Sequence, residues 1–243
     1  MEALGAAFWG FVGGASLLIG ATVGVYVRVP RRGIAVVMAL GAGVLISSVA
    51  FELMDEAYGT GGLDAASLGL LTGSVSFFLA DRAVNRSGGE RRKNSGEKQG
   101  GSASAIAIGA LMDGIPESAA IGISLLGGGG ISAALVAAVF LSNVPEGLSS
   151  AAGMKRAGKS TAHILALWGG VTVASAVAAL LGYFFLDGAS NNLIAAIQAF
   201  AAGAILTMLA STMMPEAYEE GGEVVGLVTT VGFLLAFVLS RLE

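Results

Sequence analysis

Long apolar runs separated by short polar stretches set the pattern of this chain. Runs near the roughly 20-residue length that crosses a bilayer as a helix fall at about 5–27, 33–55, 64–84, 104–126, 131–152, 162–186, 193–214 and 223–241. They predict an all-α integral membrane protein of eight transmembrane helices forming one transporter-sized domain over 1–243. Between the third and fourth runs, residues 85–102 are rich in Ser, Gly, Lys, Arg and Glu without an apolar period, which predicts a flexible loop. The first run lacks a basic leader and continues to spanning length, so it reads as a first helix and not as a cleaved signal.

Basic residues orient the spans, because Lys and Arg in short loops stay cytoplasmic. Arg28, Arg31 and Arg32, then Arg82, Arg86, Arg91, Arg92, Lys93 and Lys98, then Lys155, Arg156 and Lys159 fall on one side, and of the 13 basic residues only Arg241 falls on the other. The expectation is a multi-pass protein of the cell (inner) membrane, loop 85–102 cytoplasmic and both termini extracytoplasmic. Composition agrees: 55% hydrophobic, 12% charged, 38 glycines and a mean hydropathy of +0.80 suit packed membrane helices and not an ordinary soluble domain. With no cysteine, disulfides, thiolate metal sites and cysteine nucleophiles are excluded.

An internal repeat emerges at a shift of 160. AGVLISSVAFELMDEAYGTGG from Ala42 lies over AAGAILTMLASTMMPEAYEEGG from Ala201, pairing Gly43 with Gly203, Ala50 with Ala210, Met54 with Met214, Glu56 with Glu216, Tyr58 with Tyr218 and Gly62 with Gly222. The two tryptophans, Trp9 and Trp168, each precede a glycine in nearly the same register. Helices 1–3 thus read as duplicated in helices 6–8. An offset of five helices makes the copies cross in opposite senses, an inverted 3+2+3 repeat around helices 4 and 5, which is a transporter architecture.

The central pair, Ser104 to Gly153, carries DGIPE (Asp113 to Glu117) and SNVPE (Ser142 to Glu146) inside apolar runs. Ionisable residues at membrane depth cost roughly 2.5–3.5 kcal/mol each on insertion scales and mark interior paths. Proline removes a helical hydrogen bond and leaves a carbonyl for other partners. Asp113 and Glu117 share a face at i, i+4, as do Asn143 and Glu146 at i, i+3. Opposed, these faces would bring two to three carboxylates and an amide together, and a proton or cation must then relieve their repulsion. Oxygen donors suit Mn, Mg or Ca, and Zn or Fe with less discrimination. A purely structural kink with a protonated glutamate is the alternative for either Pro-Glu pair alone. Glu52, Asp55 and Glu56 read as an access funnel or as an ordinary charged helix end. Glu216, Glu219, Glu220 and Glu223 read as a solvated end or an exit. His163 reads as a surface histidine, and Met112, Met213 and Met214 as packing residues.

At these positions the chain resembles the ZIP family (Zrt-, Irt-like proteins) of divalent metal transporters, over essentially its whole length. The family pattern, His-Asn-x-Pro-Glu-Gly on helix 4 and His or Gln, a polar residue, x-Pro-Glu-Gly on helix 5, stands here as Asp113, Gly114, Ile115, Pro116, Glu117, Ser118 and Ser142, Asn143, Val144, Pro145, Glu146, Gly147. The resemblance implies transport of Zn, Mn, Fe, Co or Cd toward the cytoplasm by alternating access, with no organic cofactor. The family's helix 4 histidine is replaced by Asp113 and the helix 5 one by Ser142, and a helix 6 glutamate is read as Ala176. The implied site is therefore Asp113, Glu117, Asn143 and Glu146, with Ser142 a weaker ligand, for a single divalent cation with reduced zinc selectivity. Expected partners are divalent metal ions and the lipid bilayer, with a homodimer as an open assembly state and no nucleic acid. Competing readings are a proton-coupled or non-metal solute transporter and a metal-binding homologue impaired in transport. An enzyme is not expected, since no buried histidine, cysteine or serine–base pair is available.

Overall fold

The first helix shows how these glycines pack. In α1 (Glu2–Tyr26) the buried positions include Gly10, Gly13, Gly14, Gly20 and Gly24, whereas Leu4, Phe8, Phe11 and Ile19 point outward. A stripe of small residues faces the protein and a stripe of large apolar ones faces away. The same reversal holds elsewhere: Leu68, Leu71, Val75 and Phe78 are exposed, while Asp113, Glu117 and Gln198 are buried. Water would select the opposite arrangement.

The structure is a computed structural model and describes residues 2–86, 103–126 and 131–242, with side chains in the fourth helix described from Ile108 onward. Among the described residues all regular structure is helical. After α1 come α2 (Arg31–Ser48), a π-helical segment (Val49–Met54), α3 (Asp55–Val84), α4 (Ala103–Ile123), α5 (Ala133–Arg156), α6 (Thr161–Leu186), α7 (Asn191–Met208), a second π-helical segment (Leu209–Met213), α8 (Met214–Gly221) and α9 (Val224–Ser240). Among the described residues, five helical stretches are long and apolar enough to cross a membrane, and α9 is a shorter apolar one. A multi-pass α-helical membrane protein is the class that these helices suit. Most of the expected loop, residues 87–102, lies outside the described residues; Asn85 and Arg86 continue the helix.

The largest departure from the sequence pattern lies between the second and third apolar runs. Residues around Asp55 to Gly62 read as a loop, yet the chain stays helical through the π segment and the first turns of α3. It breaks only at Gly62, with φ 73° and ψ −175°. The matching stretch behaves alike: the second π segment leads into α8, which ends at Gly222 with φ 70°. Such backbone strongly favours glycine. Pro215 stands in the first turn of α8, continuous with the π segment, so it removes one donor from an otherwise unbroken helical run. The equivalent position in the first stretch is Asp55, so proline is not what produces the π turn.

α3 packs on α7, α2 on α9 and α5, α1 on α5 and α6, and α4 on α6 and α7. Glycine permits these close crossings. A Cβ on Gly43 would strike the Thr229 carbonyl and one on Gly203 the Leu70 carbonyl; likewise Gly232 meets Leu40 and Gly73 meets Phe200. In lipid, where apolar surface gains little by association, van der Waals contact between such surfaces carries helix packing.

Candidate functional site

Every residue of the candidate site is inside the protein. Asp113, Glu117, Ser142, Asn143 and Glu146 are at most 3% exposed. Asp113 and Glu117 lie one turn apart on α4 around Pro116, and Ser142, Asn143 and Glu146 lie around Pro145 on α5. Pro145 supplies no donor to the Leu141 carbonyl four residues earlier. Glycine at position 41 of α2 lets that helix lie directly on this break: a Cβ there would come 2.9 Å from Ser142 Cα and 3.2 Å from the Leu141 oxygen.

Two polar side chains on α5 are oriented by backbone. Asn143 Nδ2 donates to the Gly13 carbonyl of α1 at 3.1 Å, which turns its carbonyl oxygen away from α1. Ser142 Oγ donates to the Val139 carbonyl at 3.0 Å, and its lone pairs remain available as acceptors. Ser16 also donates to Gly13, and Thr172 Oγ1 donates to the Gly14 carbonyl at 2.9 Å. Carbonyls of α1 thus tie α5 and α6 together beside the site. Ser175 of α6 stands at this junction: a Cβ on Gly14 would come 2.9 Å from its Oγ, and one on Gly114 of α4 3.7 Å from it.

The helices that carry the carboxylates meet over only a short stretch, since α4 lies mainly on α6 and α7 and α5 mainly on α1 and α2. Among the described residues, no three His, Asp or Glu side chains are gathered closely enough to hold one metal ion. Asp113, Glu117 and Glu146 each have interaction partners. What the arrangement offers chemically is buried carboxylate oxygens on two helices, with an amide and a hydroxyl held by backbone acceptors beside one of them.

The flanking acidic groups fall at two places. Glu52 Oε2 accepts from Ser132 Oγ at 2.9 Å, and Glu56 Oε2 accepts from Gln198 Nε2 at 2.6 Å. Glu216 and Glu219, with Asp81, Asn85, Ser211, Thr212 and Pro215, line a cavity of about 200 Å³. Glu220 lies 3.8 Å from Arg31, a partly exposed pair of little energetic weight. His163 is exposed. Met112, Met213 and Met214 belong to the apolar core. Gly13, Ser132, Ser175 and Gln198 escaped sequence reasoning; only the polarity of the last three within or beside apolar runs hinted at them.

No family model matches the chain, and no curated protein matches it.

Proposed function

We propose that this protein is a ZIP-like transporter of divalent metal cations, which reach the cytoplasm through Asp113, Glu117, Asn143 and Glu146, with Ser142 a weaker ligand. The observation that carries the reading is the complete burial of these five polar side chains on two proline-bearing helices, within a molecule whose exterior is apolar. Buried carboxylates need a compensating cation or proton. Ligands drawn from two helices that barely touch suit a single ion that keeps part of its water shell, which favours hard cations over zinc.

The proposed frame is eight spans in an inverted 3+2+3 arrangement with both termini outside. Its support is the recurrence, 160 residues apart, of a π segment followed by a left-handed glycine. The close contacts of Gly43 and Gly203 recur at the same shift. In such a frame one helical block rocks against the other around a fixed site. Elemental analysis of purified protein, followed by titration with Mg, Mn, Fe and Zn, tests the reading. Saturable binding of at least one of these ions, lost on Glu117→Ala with Glu146→Ala, is expected; flux driven by a pH gradient without any divalent metal would favour a proton-coupled carrier instead.

A further inference from the structure

One hydroxyl joins two helices at the point where α5 begins. Ser132 is the N-cap of α5: its Oγ accepts the Leu135 N–H at 3.1 Å. The same oxygen donates its single proton to Glu52 Oε2 at 2.9 Å. Glu52 belongs to the first π-helical segment, where one backbone turn is wider than an α turn, a feature that recurs at functional sites. A carboxylate at a helix N-terminus is also favoured by the helix dipole.

This contact is in register with the candidate site. α2 and its π extension run antiparallel to α5. Ser132 touches Glu52, and ten residues farther along α5 the Ser142 backbone lies beside Gly41, eleven residues back along α2, where an added Cβ would come 2.9 Å from Ser142 Cα. Both intervals amount to about 15 Å of helix at 1.5 Å per residue. The helix that lies against the Ser142 backbone is therefore tied, at its far end, to the start of α5 through Glu52.

We infer that Glu52 and Ser132 form a latch that keeps α2 seated over the site from the side on which α5 begins, and that release of this latch is the step that exposes the site to that side. The inference rests on the transport reading, in which the site is exposed alternately. Glu52 and Ser132 are positioning residues here, not ligands.

The absence of cysteine makes the test direct. Ser142→Cys serves as reporter, labelled by a membrane-impermeant maleimide in sealed vesicles without metal, and Ala133→Cys, at an exposed position, marks the side. Glu52→Ala is expected to speed labelling of the reporter from the marked side by about tenfold, the shift that follows loss of a hydrogen bond to a charged group. Ser132→Asn retains both a cap and a donor and should label like the parent. Ser132→Asp retains the cap but sets two carboxylates against each other and should label as fast as Glu52→Ala. A purely capping serine predicts equally slow labelling for Asn and Asp, and that result, or unchanged labelling in Glu52→Ala, overturns the latch. Since no metal is present, failure of the metal reading appears separately, in the titration.

Discussion

The molecule contains two corners of the same backbone design with different side chains. In one, the π segment Val49–Met54 leads to Gly62; in the other, Leu209–Met213 leads to Gly222. They lie toward opposite ends of α3, since Gln198 holds Glu56 near its start, whereas Asp81 near its end lines the second corner. From Leu63 to Asp81 is about 27 Å of helix, close to the thickness of a bilayer's hydrocarbon core. The first corner is closed by Ser132 on Glu52 and Gln198 on Glu56. The second holds a polar cavity of about 200 Å³. The two corners share a backbone, because glycine contacts and left-handed turns tolerate few residues, while their polar side chains differ. The lesson is that symmetry here resides in packing and asymmetry in hydrogen bonding.

The most severe way to break this comparison is to strike the packing that the halves share. Gly43→Ala and Gly203→Ala each drive a Cβ into a facing carbonyl, so each should cost about 1–3 kcal/mol or more, read as lowered thermal stability in detergent. A large loss at one position with none at the other would mean that the two halves are not held by equivalent contacts. A smaller effect is expected at the turns. Gly62→Ala and Gly222→Ala meet open space but require positive φ with extended ψ, a region nearly confined to glycine, and each should lose about 1–3 kcal/mol from the backbone alone, measured in the same melts.

The smallest effect is expected at a hydrogen bond of the first corner. Glu56 Oε2 accepts from Gln198 Nε2 at 2.6 Å, and Glu56→Gln keeps an acceptor for that amide, so it should cost no more than about 1 kcal/mol in the same melts. A loss as large as that of Gly43→Ala would mean that the Glu56 charge itself holds the first corner.

Much of the fold was legible because spanning length and apolar continuity are strong local signals, and helices occupy each of the eight runs. The π segments were not legible, as nothing in VAFELM or LASTM distinguishes a five-residue hydrogen-bond step from a four-residue one. The stretch from Asp55 to Gly62 looked like a loop because its charges and glycines are loop-like. Its helical state is accompanied by a contact with Gln198, 142 residues away. The buried polar residues of α4 and α5 stood out because charge within an apolar run is costly. What surrounds them did not: Gly13 reaches Asn143 through a carbonyl, which every residue has, and Ser132 resembles any N-cap. That Asp113, Glu117 and Glu146 do not gather as a trio could not be read from spacing either, since i, i+4 fixes a shared face on one helix and says nothing of how far α4 stands from α5.

The central claim is that the buried carboxylates form a path for divalent cations, and uptake into proteoliposomes addresses it most directly. With Mn, Zn, Fe, Co and Cd offered in turn, the protein should carry at least one of them, the harder ions not disfavoured against zinc, and Glu117→Ala combined with Glu146→Ala should reduce uptake to the level of empty liposomes. Uptake by the double variant equal to that of the parent protein would contradict the assignment of the path.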